Sequence, residues 1–413
     1  MRGIKRTIFL TLILAISSCA EFNSDLYRIM ALDAEGRLDF NASARFNMIL
    51  YKNTSERTYS EKWIESLIRA RQYDQAVVET KKLLKTDNSR ILKRHLIIAY
   101  FGKNDLKNAL ANATELAKNS KTPEDYALAA DIYMASGNNK KALAYYKRAY
   151  SITHDSLSID KIALILSEHM NDYKEAAAYM ETHLIMYGSE DYLLSRLASV
   201  YAKAGNIKGV VSSYKRIYRS RPDAALGQRI VELSLIQDDY KNLMEWLEET
   251  HFNNEILLEL YKHEQLYKKG SLLALKLYKK DGDVAHLAVY AMLQYEAGDQ
   301  NDPKLIQKTI STLERVVAQN SNHIHLNYLG YLLIDHSIDV KRGVELVKLA
   351  VQKEPNNIFY NDSLAWGYYR LGEYGKAYDL MNKFKDMIKS DPAIFEHYKL
   401  IEKSYKNSRE ANR

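Results

Sequence analysis

A small or apolar residue returns at a nearly fixed interval along most of this chain. Ala42, Ala76, Ala109, Ala142, Ala176, Val210 and Met244 follow one another at 34, 33, 33, 34, 34 and 34 residues. Around three such positions a longer pattern repeats. Ala129-Ala130, Tyr133, Gly137 and Ala142 have the spacing of Leu197-Ala198, Tyr201, Gly205 and Val210, and of Leu364-Ala365, Tyr368, Gly372 and Ala377. A fixed period of 20–50 residues marks stacked repeats, each unable to bury its apolar face alone. Few other folds survive that constraint.

Apolar residues three and four apart put one stripe on each of two helices per repeat. The glycine permits the tight turn between them, and the small residue lets their backbones approach. The five prolines fall between helical segments, at 123, 222, 303, 355 and 392. Thr122-Pro123, Asp302-Pro303 and Asp391-Pro392 read as a cap followed by proline at the first helical position. No window alternates at period two, so essentially no sheet is expected. On these residues the chain resembles the tetratricopeptide repeat family over nearly its whole length. The resemblance implies an all-α, right-handed α-solenoid of stacked helix-turn-helix repeats.

Repeats are expected at about 23–56, 57–89, 90–122, 123–156, 157–190 and 191–224, and again at 323–357 and 358–391. The segments 225–252, 254–282 and 283–319 fit the pattern less well. The expected organisation is therefore a signal segment at 1–18, an N-terminal array at 19–252 and degenerate repeats or a joint at 253–322. A C-terminal repeat pair at 323–391 and a capping helix and tail at 392–413 follow.

The sole cysteine, Cys19, follows Arg2, Lys5, Arg6 and an apolar run from Ile8 to Ile16. A basic start, a short apolar run and small residues make a secretory signal. The run is shorter than the roughly 20 residues a membrane helix needs. Ile16-Ser17-Ser18-Cys19 resembles the lipobox of bacterial lipoproteins. That resemblance implies cleavage before Cys19, a diacylglycerol thioether on its sulfur and a lipid-anchored chain facing the periplasm. Ala20 is not the aspartate that retains such proteins at the inner membrane in some bacteria, so the outer membrane is favoured. With that thiol used, no disulfide, thiolate metal site or cysteine nucleophile remains.

Removing residues 1–18 lowers the net charge from +7 to +4. That argues against a nucleic-acid surface, which shows clustered Lys and Arg. No phosphate-binding glycine loop, nucleophile elbow or paired-histidine metal motif occurs. His323 and His325 diverge on a helix and read as two solvated imidazoles. No catalytic residue, metal, cofactor or small-molecule substrate is expected, and the chain is not expected to be an enzyme.

The tyrosines at 100, 133, 201 and 368, with those at 146 and 214, occupy packing positions. In the resembled family the first helices line the inner wall of the groove. Its lining positions map onto Asn327, Tyr331, Phe359, Asp362, Trp366, Tyr369 and Arg370 in the last two repeats. Aromatic, Arg and Asn side chains suit a hot spot for a protein partner. The corresponding positions of earlier repeats are Arg94 and Ile98, Ala127 and Asp131, Lys161 and Ile165, and Ser195 and Ser199. The expected function is a non-catalytic scaffold or chaperone-like factor, binding protein partners to support a cell-envelope complex. A flagellar motor or pilus-type machine is the favoured class. The alternative is a permanent structural subunit of a secretion, export or wall-synthesis machine.

Overall fold

The computed structural model describes residues 22–188, 190–388 and 391–411. They form helices joined by short turns, with no strand among the described residues. The chain divides into two compact units, one ending at Gln237 and one beginning at Asp238. Each is a stack of helix-turn-helix repeats in chain order.

In the first unit α1 (Ser24–Gly36) pairs with α2 (Phe40–Thr54), and α3 (Arg57–Arg69) with α4 (Tyr73–Leu83). Next come α5 (Arg90–Gly102) with α6 (Leu106–Lys118), and α7 (Pro123–Ala135) with α8 (Asn139–Thr153). Then α9 (Ser156–Leu164) pairs with α10 (Tyr173–Tyr187), and α11 (Asp191–Lys203) with α12 (Ile207–Ser220). The helix α13 (Ala224–Ile236) closes this unit.

The second unit opens with α14 (Tyr240–Thr250). Its pairs are α15 (Asn254–His263) with α16 (Tyr267–Asp281), and α17 (Val284–Glu296) with α18 (Pro303–Gln319). They continue with α19 (His323–Asp335) and α20 (Val340–Lys353), then α21 (Ile358–Arg370) and α22 (Tyr374–Asn382). A short α23 (Lys385–Ile388) leads to α24 (Pro392–Ala411), which packs on α21 and α22. The stretch 253–322, faint as repeats in the sequence, folds into two pairs like the others.

The repeating small residues sit where the paired helices meet. Ala76, Ala109, Ala142 and Ala176 are completely buried, and Ala42, Val210 and Met244 nearly so. In α19 and α20 the approach is closer still. A Cβ on Gly330 would lie 2.8 Å from the Gly343 carbonyl oxygen and 2.6 Å from a Val347 methyl.

In every pair but α17 and α18 the turn between the helices carries one residue with left-handed backbone. It is glycine at 137, 205 and 372, but Leu38, Arg71, Asn104, Asn171, Gln265 and Ser337 adopt the same conformation. Asp or Asn follows at 39, 105, 138, 172 and 206, and its side chain accepts from a backbone amide in the first turn of the second helix. Such caps satisfy amides that have no partner within the helix.

Some first helices of successive pairs pack directly on one another: α3 on α5, α5 on α7, α9 on α11, and α19 on α21. Second helices reach the next pair chiefly through its first helix, as α4 packs on α5 and α6 on α7. In each unit the first helices thus offer a wall of their own, and the candidate residues lie on these walls.

Candidate protein-interaction surface

Contact between α19 and α21 brings the C-terminal candidate residues onto adjacent helices. Their roles differ. Trp366 is only 8% exposed. Its ring lies between Tyr369, at 4.8 Å and 11°, and His397 of α24, at 4.3 Å and 9°. Its indole N–H donates to Asp335 Oδ1 at 3.0 Å. Most of its stacking surface is therefore spent inside the protein. Arg370 lies at the edge of this stack, its guanidinium 5.7 Å from the Trp366 ring centre. It donates to the Asp335 carbonyl at 3.1 Å and to the Ser337 hydroxyl.

Tyr331 is half-buried between two apolar clusters. Burial, and then Asp335, pushes its hydroxyl well above the usual phenol range. Asn327 is half-buried, and its Oδ1 has no hydrogen-bond partner. Phe359, at the start of α21, is 57% exposed. Of the aromatic candidates it presents the most surface.

Asp362 is buried and faces His397, whose Nδ1 lies 2.9 Å from Oδ2. Burial raises the Asp362 carboxyl above its ordinary value, and His397 opposes that shift. Burial also disfavours a charged His397, but the hydrogen bond and charge of Asp362 outweigh it and raise the imidazole. His397 and Asp335 were missed in the sequence. His397 lies on α24, outside the repeat register, and Asp335 sits at the end of α19.

The wall of the first unit is different. On α5, Ile91, Ile98 and Phe101 are 43%, 37% and 47% exposed. Arg94 lies among them but is not a free cation. Its guanidinium pairs with Asp125 of α7 and reaches Thr122 at 3.1 Å and Glu124 at 3.4 Å. Asp125 is fully buried at its side chain, and Ser120 also donates to it at 2.6 Å. Farther along, Arg196 pairs with Asp160 at 2.8 Å, and Lys203 pairs with Glu168. Ser195 and Ser199 are exposed, Ala127 and Lys161 are half-buried, and Asp131 accepts from the Tyr146 hydroxyl.

Two expectations are corrected. Ile165 does not line this wall; it is fully buried. A π-turn at Ile165–His169 follows α9. The wider turn breaks the regular helical register. Nor are His323 and His325 two solvated imidazoles. His325 is 7% exposed with Nδ1 unpartnered, and His323 Nδ1 lies 2.9 Å from the Tyr360 hydroxyl. His323 is engaged by the start of α21, whereas His325 is buried at the entrance of α19, where burial holds its imidazole below the ordinary value.

The packing tyrosines follow their repeat positions. Tyr100, Tyr133 and Tyr146 are buried, whereas Tyr201, Tyr214 and Tyr368 are half-buried with their rings against neighbouring clusters. Among the described residues no group of three His, Cys, Asp or Glu is arranged to hold a metal. None of the described helices is long and apolar enough to cross a membrane. Cys19 and the segment before it lie outside the described residues.

Residues 126–160 match the tetratricopeptide repeat family. No curated protein matches the chain in sequence. Among solved structures, the Naa15/Naa10 complex bound to HypK-THB is similar at 12% identity and a TM-score of 0.38. The match covers 82% of this chain, which spans 64% of the length of that one. A tetratricopeptide repeat protein from Parabacteroides merdae is 13% identical over 58% of this chain and 97% of its own, with a TM-score of 0.37. The APC/C hetero-tetramer Cut9-Hcn1 is 12% identical over 94% of this chain and 91% of its own, also at 0.37. At these scores the likenesses say nothing of partner or process.

Proposed function

We propose that this chain is a non-catalytic scaffold that holds a protein partner on its first-helix wall while tethered to a bacterial membrane through Cys19. The observation that carries the proposal is α5. Ile91, Ile98 and Phe101 stand exposed along its wall face, while the neighbouring cation Arg94 is spent on Asp125. Exposed apolar side chains beside a satisfied polar frame are a surface for a partner with apolar anchors. Phe359 offers a similar anchor in the second unit. The partner is a cell-envelope protein whose assembly or stability depends on the scaffold, a flagellar motor or pilus-type component being the favoured class. The outer membrane is the favoured site. The tether rests on the lipobox-like Ile16-Ser17-Ser18-Cys19 alone.

Ile98→Asp with Phe101→Asp, and separately Phe359→Asp, test the surface, because these side chains contribute little to the core. Each variant is checked for helical content and cellular level, and the proteins crosslinked to it in intact cells are then quantified. A lost crosslink, with a fall in the partner's abundance, is the expected result of at least one variant. Folded variants that keep every crosslink and full cellular function would overturn the surface.

A further inference from the structure

The helix α1 begins the array with an apolar outer face. Leu26, Ile29 and Leu32 are 47%, 64% and 59% exposed. Phe22, just before the helix, is also exposed and stacks on Tyr27 at 5.6 Å. The repeat register identifies this face. Ile29 aligns with Leu96, Ala129 and Leu197, and Leu32 with Ala99, Ile132 and Val200. All six aligned residues are buried. In those repeats a second helix precedes and packs against the first: α4 on α5, α6 on α7, α10 on α11. No described helix precedes α1. Terminal repeats ordinarily carry a polar outer face for solubility, and at the other terminus α24 covers the last pair. Here the docking face is left apolar.

We propose that this face of α1 is seated in the boundary between lipid headgroups and acyl chains, so that the first repeat rests on the membrane. The proposal depends on the lipid anchor at Cys19 proposed above. Phe22 lies three residues beyond Cys19, about 11 Å at full extension. An anchored chain therefore delivers the first turn of α1 to the bilayer surface. An exposed apolar helix face held there inserts into the interfacial layer.

The charges indicate the kind of surface. Arg28 is turned back towards Glu56, at 3.6 Å, and over the Tyr59 ring. Asp25 and Asp33 are exposed, and Asp33 pairs with Arg37 one turn beyond the apolar residues. Among the described residues, the cations of α1 and its turn, Arg28 and Arg37, are each paired with a carboxylate. The seat is held by apolar burial, not by attraction to anionic lipid.

The test uses the lipidated mature protein in phosphatidylcholine–phosphatidylethanolamine vesicles. Ile29→Cys and, as a control, Ile152→Cys are labelled with an environment-sensitive fluorophore; lipid blocks the sulfur of Cys19. Helical content verifies the fold and mass verifies the lipid. Quenchers carried on the acyl chains should quench the probe at 29 severalfold more than the probe at 152. Replacing a fraction of the lipid by an anionic one should change this little. A lipidated, folded protein whose probe at 29 is as unquenched as that at 152 overturns the membrane seat and leaves the anchor standing. Protection of the probe in detergent that grows with protein concentration assigns the face to a second copy and overturns it equally. A mature chain without lipid on Cys19 overturns the anchor and this inference together, and its mass reveals it.

Discussion

The first-helix walls of the two units are held together by different physics. Between α5 and α7 the link is an ion pair, Arg94 to a carboxylate with no exposed surface, and a second pair, Arg196 with Asp160, joins α11 to α9. In the second unit the Trp366 indole N–H on Asp335 links α21 to α19, and an aromatic stack, Tyr369 on Trp366 on His397, links α21 to α24, backed by a glycine contact between α19 and α20. One repeat geometry thus tolerates two kinds of glue. The first should answer to loss of charge, and the second to added volume and to the protonation of one histidine.

The largest effect is expected at the glycine contact. Gly330→Ala would place a methyl 2.8 Å from the Gly343 carbonyl oxygen and 2.6 Å from Val347. Backbone cannot yield there without separating the two helices. Overpacking of this kind costs about 3 kcal/mol. Hydrogen exchange should show the loss in α19–α22, with α5–α8 unaffected, because repeats couple mainly to neighbours. Unchanged protection in α19 and α20 would mean that the two helices are not in such close contact.

The first wall should break less severely. Arg94→Ala leaves Asp125 buried with Ser120 at 2.6 Å and Arg90 at 3.5 Å. Stranding a buried carboxylate that keeps some partners costs about 2 kcal/mol. Arg94→Leu with Asp125→Asn should recover most of that, since the penalty lies in the unpaired charge. Denaturant unfolding of the single and double variants measures the difference. Equal losses in both would show that the ion pair is incidental.

A smaller effect separates the walls by pH. His397 is raised by Asp362 against the cost of burial. Its contribution is fully present below the unfolded value of 6.5 and is lost as pH rises through the raised folded value. His95, on α5, is lowered by burial. Its contribution is full above 6.5 and is lost as pH falls below that value. Exchange protection, corrected for intrinsic rates, should therefore fall in α24 on the alkaline side and in α5 on the acid side. A common direction in both helices would contradict the assignment.

The repeat was legible because its packing has a sequence signature. A small residue must stand where α7 meets α8, and Ala142 does. The turns were legible only in part. Gly137, Gly205 and Gly372 announce a left-handed residue, whereas Leu38, Arg71 and Gln265 adopt that backbone without any compositional sign. Local register failed where the π-turn at Ile165–His169 interrupts the helix, since helical spacing assumes a constant turn. At the C-terminal patch, repeat position correctly put Trp366 on a first helix beside Tyr369. It did not reveal the cover, because His397 comes from a helix outside the repeat.

The smallest prediction follows from those unmarked turns. Leu38 has φ of 58° and is 73% exposed. A left-handed conformation costs a non-glycine residue about 1 kcal/mol or more. Leu38→Gly removes that strain and sacrifices little packing. Glycine also gains freedom in the unfolded chain, which takes back part of the benefit. The balance should be a gain of about 0.5 kcal/mol in the α1–α2 pair. Gly137→Ala is the mirror experiment. Its φ is 78° and nothing lies within 4 Å of an added Cβ, so strain alone should act there, at about 1 kcal/mol. Local exchange rates in α1–α2 and α7–α8 read both changes. Opposite signs would confirm that all these turns share one backbone requirement. A loss at Leu38→Gly comparable with that at Gly137→Ala would show that the leucine earns its place by a contact, and that the repeats differ in their turns as well as in their walls.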